Sequence, residues 1–144
     1  MVKIKRSEKN KNEEHKHLKE SAFWQLIRKN LKNVHLQRIE TGGTGRGIPD
    51  LNGCFSGTEF WAELKVVNSG KKIALRPEQI AWLLQRTKHG GRTFIIVRAP
   101  NSDIYLYKGE DAKEVLDEGL RKNPVLTLVK PYDWDSLLEA VKLF

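Results

Sequence analysis

Asp50 closes the run Gly47-Ile48-Pro49-Asp50, and Glu63 lies in Phe60-Trp61-Ala62-Glu63-Leu64-Lys65-Val66-Val67, with twelve residues between the two acids. Lys65 follows Glu63 by two positions. Acidic side chains that meet at one place can hold a hard divalent cation such as Mg²⁺, which takes oxygen ligands and keeps several waters. A lysine beside them can neutralise charge building on an attacked phosphate, or orient a water. These are the components that hydrolysis of a phosphodiester requires.

A β-strand positions such groups because its side chains alternate between faces. Over 60–66, Phe60, Ala62, Leu64 and Val66 share one face, and Trp61, Glu63 and Lys65 the other. The apolar face anchors the strand while Glu63 and Lys65 project together into a cleft. Upstream, Pro49 holds Ile48 extended and leads into a strand predicted at Leu51–Phe55. Ser56-Gly57 turns that strand into the one carrying Glu63.

Other elements surround this centre. Leu18, Ala22, Phe23, Leu26, Ile27 and Leu31 recur at helical spacing, so a helix is predicted over about 13–32. Glu20 falls within its apolar sector. It is either a further acidic contributor to the site or a glutamate that snorkels at the edge of the face. A strand is expected over Val34–Glu40, followed by the glycine-rich stretch Thr41–Gly47. That stretch lacks the Gly-Lys-Ser/Thr and following helix of a phosphate-cradling loop. Arg46 within it is free to reach a phosphate. Asn68–Arg76 is polar and basic, and Lys71, Lys72 and Arg76 are candidate phosphate contacts.

Pro77 suits a first helical position and Gly90-Gly91 a stop. Ile80, Leu83, Leu84 and Thr87 form the predicted core face of this helix. Gln79 lies beside them with Trp82 and Arg86, and by the residues alone it reads as exposed. Thr93–Arg98 reads as a buried strand, paired with Ile104–Lys108 across Pro100-Asn101-Ser102-Asp103. A helix over Glu110–Leu120, a strand over Val125–Val129 and a helix over Trp134–Leu143, N-capped by Asp133, complete the expectation.

With 144 residues, 39% hydrophobic and 31% charged, the chain is expected to form one domain over 17–144. A basic tract over 1–16 precedes it, with little to bury. His15 and His17 there read as surface residues rather than a metal site. A single cysteine, Cys54, excludes an intramolecular disulfide and a multi-cysteine zinc site. No apolar run approaches the ~18 residues of a membrane span. No signal-peptide apolar region precedes the fold, so no membrane partner is expected. The net charge of +8, with pI near 9.6, favours polyanion partners through counterion release.

The series Glu20 on a helix, Gly-x-Pro-Asp, Glu63-Leu64-Lys65 on a strand, Arg76-Pro77-Glu78-Gln79 and Phe94-Ile95-Ile96-Val97 resembles the PD-(D/E)xK nuclease superfamily. Within it, the series is most similar to small VRR-NUC-type and Holliday-junction-resolvase-like enzymes common in phages. The resemblance covers about Glu20 to Val97. It implies an α/β fold with a restriction-endonuclease-like core, a mixed β-sheet flanked by α-helices. It implies a Mg²⁺-dependent DNA endonuclease, Mn²⁺ substituting, acting on structured or branched DNA in the cytoplasm of a bacterial or phage-infected cell. By the same resemblance, Asp50 and Glu63 ligate the metal with the backbone carbonyl of Leu64. Glu20 contributes directly or through water, and Gln79 approaches the site. Two rival readings remain: a Holliday junction resolvase, which requires a homodimer, and a non-catalytic nucleic-acid-binding module.

Overall fold

The computed structural model describes residues 20–40 and 46–144. Residues 20–30 are helical (α1). They are followed by β1 (His35–Arg38), β2 (Leu51–Phe55), β3 (Thr58–Val66), α2 (Pro77–Lys88), β4 (Thr93–Arg98) and β5 (Ile104–Lys108). The chain ends with α3 (Ala112–Glu118), β6 (Leu126–Leu128) and α4 (Trp134–Leu143). The six strands form one mixed sheet in the order β1-β2-β3-β4-β5-β6. Neighbours are antiparallel except β3 and β4, which run parallel with α2 in the connection between them. A parallel pair requires such a crossover, whereas antiparallel strands can be joined by a tight turn. Ser56 and Gly57 form one such turn, both with positive φ (46° and 78°), as a two-residue hairpin favours.

The run Phe94-Ile95-Ile96-Val97 is wholly buried because β4 is covered on both faces. Phe94 and Ile96 pack in one core with Phe60, Ala62 and Leu64 of β3, Phe23 and Ile27 of α1, and Leu137 and Val141 of α4. Ile95 and Val97 pack in the other with Ile80 and Leu83 of α2 and Val115 of α3. The result is an α/β fold with helices on both faces of the sheet, as the sequence led us to expect. α4 and its cap also match: Asp133 accepts hydrogen bonds from the Ser136 N–H (3.3 Å) and hydroxyl (2.7 Å).

Four elements differ in extent from expectation, α1 ending at residue 30 rather than at about 32. β1 and β6 are shorter, at His35–Arg38 and Leu126–Leu128. The helix expected over Glu110–Leu120 is confined to Ala112–Glu118, with a 3₁₀ turn at each end. Gly119 ends it at φ +60°, where a Cβ would lie 2.1 Å from the Lys71 carbonyl oxygen. The Leu120 N–H then donates to that carbonyl at 2.8 Å. The chain therefore leaves the helix to fasten the 71–72 segment, a tertiary contact that helical spacing does not encode.

The expected basic tract with His15 and His17, the domain start at residue 17, and Thr41–Gly45 lie outside the described residues. Among the described residues, no helix is long and apolar enough to cross a membrane.

Candidate active site

β2 starts too late to pair with the whole of β3, leaving Glu63–Val66 beyond the ladder, and this creates the notch at the site. The β2–β3 ladder ends at Leu51↔Ala62, because Pro49 has no N–H to donate. The N–H groups of Trp61 and Val67 donate to β4-side carbonyls, those of Arg92 and Arg98 (both 2.9 Å). Even-numbered residues of β3 therefore turn their N–H and C=O toward β2. At Leu64 no β2 backbone remains to meet them. The Asp50 side chain fills that place, its Oδ2 accepting the Leu64 N–H at 2.8 Å. Asp50 thereby stands beside Glu63, and the Leu64 carbonyl faces the same edge.

The loop before Asp50 is pressed onto the first turn of α2. Gly47 has φ +80°, and a Cβ there would lie 2.2 Å from the Glu78 carbonyl oxygen. Only glycine tolerates both conditions. The neighbouring Gln79 is buried, 6% exposed, and links the site together. Its Nε2 donates to Glu63 Oε1 at 2.9 Å. Its Oε1 accepts from the Arg76 N–H at 3.0 Å and from Lys65 Nζ at 3.2 Å. Two donors on one side and a carboxylate on the other define the amide orientation. Lys65 Nζ also lies 3.7 Å from Glu63 Oε1.

Glu63 is 2% exposed, and among the described residues no donor reaches its Oε2, although its carboxyl lies within hydrogen-bonding reach of the Asp50 carboxyl once one of the two carries a proton. Burial, reinforced by the adjacent Asp50 carboxylate, pushes its carboxyl up from the usual range to about 9, while Lys65 and Arg76 pull it down. Two carboxyls side by side in a low-dielectric site cannot both remain charged without a compensating positive charge. A proton or a cation satisfies that requirement.

Beside this cluster a cavity of about 470 Å³ is lined by Glu20, Lys65, Lys72 and Arg76, among others. The structure thus joins Asp50, Glu63, Leu64, Lys65 and Gln79, and sets Lys72 and Arg76 along the adjoining cavity. Glu20 lines this cavity but does not complete a triad. Among the described residues no three His, Cys, Asp or Glu side chains group as a metal-holding cluster. Lys71 and Arg46 are exposed and do not line the cavity.

Helical spacing alone misplaces Gln79, which it reads as exposed and which is buried; the resemblance had it approach the site. A signal for it exists. With Arg76 as N-cap, Gln79 is the third helical residue, where Glu or Gln folds back onto the cap N–H.

No protein-family model and no curated protein matches this chain. Among solved structures it is similar to Hjc, a Holliday junction resolvase from the archaeal hyperthermophile Archaeoglobus fulgidus. The two are 15% identical over 60% of this chain and 73% of that one, with a TM-score of 0.49.

Proposed function

We propose that this chain is a Mg²⁺-dependent DNA endonuclease that hydrolyses phosphodiester bonds and selects DNA by its structure, as VRR-NUC-like enzymes do. The observation that carries this reading is the Glu63 carboxyl, buried beside Asp50 with one oxygen held by Gln79 and the other without a donor. A buried polar oxygen left bare is costly. The nearby donors are hard oxygens, which suit Mg²⁺ or Mn²⁺. Asp50, Glu63 and the carbonyl of Leu64 would hold the ion. When bound, the ion supplies a Lewis acid for the phosphate and a water of lowered pKa.

The protein's own groups do the remaining work. Lys65, held by Gln79 and Glu63, stabilises charge developing on the non-bridging phosphoryl oxygens. Gln79 fixes both Glu63 and Lys65 and is a positioning residue. Lys72 and Arg76 steady the flanking phosphates along the cavity wall. Glu20, across that cavity, acts through water rather than as a direct ligand.

The test is cleavage of labelled DNAs sharing one sequence, presented as single strand, duplex, flap and four-way junction, with Mg²⁺ or Mn²⁺. Wild-type protein is expected to cut at least one structure, and Asp50→Asn none. Paired symmetrical cuts confined to the junction would identify the dimeric resolvase within this chemistry. Cutting that persists in excess EDTA, or equally in Asp50→Asn, would overturn the proposal.

A further inference from the structure

Two rows of side chains lead away from the carboxylate pair. Glu63, Trp61 and Glu59 share one face of β3, and Gln79, Trp82 and Arg86 share one stripe of α2. The rows run antiparallel and touch in sequence. Gln79 bonds Glu63, and the Trp82 and Trp61 rings lie 5.2 Å apart. The Arg86 guanidinium lies 4.6 Å from the Trp82 ring centre and 5.3 Å from that of Trp61. Gly91 leaves room for the Arg86 stem, since a Cβ there would lie 2.6 Å from Arg86 Cγ and Cδ.

Arg86 is exposed, and among the described residues stacking is what holds its guanidinium. The two ion pairs among the described residues involve neither it nor its neighbours. It lines a cavity of about 500 Å³ with Trp61, His89, Arg92 and Glu59. Arg92 is committed to the last carbonyls of α4, donating to Lys142 O at 3.0 Å. Glu59 accepts from Asn52 Nδ2 at 3.1 Å. His89 bonds Gln85 O through Nδ1 at 2.9 Å. Arg86 therefore has donors to spare, and no side chain among the described residues uses them. Stacking on an aromatic face leaves the edge of the guanidinium fork free for a phosphate.

We propose that Arg86, laid on Trp61 and Trp82, is a phosphate-gripping site for a nucleic-acid strand whose reacting phosphate lies at Glu63 and Lys65. The proposal rests on the nuclease reading for its direction along the strand. Arg86 lies seven positions after Gln79 in the helix, roughly 10 Å along the axis. That distance is about three nucleotides of a stacked strand. The aromatic pair fixes the fork in advance, so little side-chain freedom is lost on binding.

The experiment measures binding in EDTA, where cleavage does not enter, by anisotropy of a labelled single-stranded oligonucleotide across a salt series. The proteins compared are wild type, Arg86→Gln, Arg86→Lys and Asp50→Asn. Loss of one phosphate contact should flatten the log–log salt slope by about 0.7, equivalent to about fivefold weaker binding at 0.1 M salt. Arg86→Gln is expected to show both changes. Arg86→Lys keeps the charge and the slope but loses the planar stack, and should bind about two- to threefold more weakly. Wild-type affinity and slope in Arg86→Gln would overturn the proposal, as would failure of wild type to bind DNA. Binding that depends on Arg86, by a wild-type protein that cuts none of the labelled DNAs in the separate Mg²⁺ or Mn²⁺ assay, would instead refute the nuclease reading alone. Wild-type cleavage in that assay together with unaltered binding by Arg86→Gln would refute the phosphate grip alone.

Discussion

At the residue scale, Glu63 behaves as an acid that the fold keeps protonated when no cation is near. Its carboxyl rises from 4.5 to about 9 in the folded chain, so the fold binds this proton more tightly than the unfolded chain does. The associated stability is complete below about pH 4.5 and disappears as pH climbs through about 9. In EDTA, the urea midpoint of wild type should fall from about pH 5 to 9 relative to that of Glu63→Gln. A wild-type midpoint that rises relative to Glu63→Gln over this interval would contradict the burial argument. For cleavage, Asp50→Asn, Glu63→Gln and Lys65→Ala should each lower the rate by about 10²-fold or more. Gln79→Ala should lower kcat by about 10–100-fold with KM little changed, since Gln79 holds Glu63 and Lys65 without touching substrate. Asp50, Glu63 and Lys65 were legible in the sequence because strand alternation and a Pro-Asp turn constrain where their side chains point. Gln79 was not legible from helical spacing, and only the resemblance brought it toward the site, because its burial depends on β3 passing under the first turn of α2.

At the element scale, the site depends on a loop lying flush against a helix start. Gly47→Ala would force a Cβ into the Glu78 carbonyl at a positive φ. The strain should cost about 1–3 kcal/mol, read as a lowered thermal midpoint. Cleavage well below that midpoint should fall as well, because the displaced turn carries Gln79. Full activity in a destabilised Gly47→Ala protein would separate the packing from the chemistry. Element positions were largely legible: turn residues bracket β2, β3 and β4, and Pro77 marks the start of α2. The early end of α3 was hidden because Gly119 serves a contact with Lys71, some fifty residues away in the chain.

At the scale of the whole molecule, the proposed reading makes the +8 charge a source of DNA affinity without sequence preference, with the cavity expected to decide which cations matter most. Lys72 lines the cavity and Lys71 does not. On duplex DNA, Lys72→Ala should flatten the log–log salt slope by about 0.9, and Lys71→Ala by clearly less. Equal flattening by the two substitutions would mean that the basic segment acts as a diffuse field rather than through the cavity wall. Two unrelated sequences of one DNA structure should show the same pattern.

The lone parallel pairing has a kinetic consequence. The β2–β3 and β4–β5 pairs close through short turns, whereas β3 meets β4 only after α2 and its connections are in place. Ordering that longer loop makes β3–β4 docking the slower event in folding. Asp50, Glu63 and Lys65 lie on the first side of this seam and Gln79 in the connection, so the site is completed only at that step. Gln79→Ala should therefore speed unfolding while leaving refolding nearly unchanged, and Ile104→Val in the β4–β5 hairpin should slow refolding. Both arms of a chevron plot measure this. A marked slowing of refolding by Gln79→Ala would mean instead that the Gln79 contacts form before the barrier to docking is crossed.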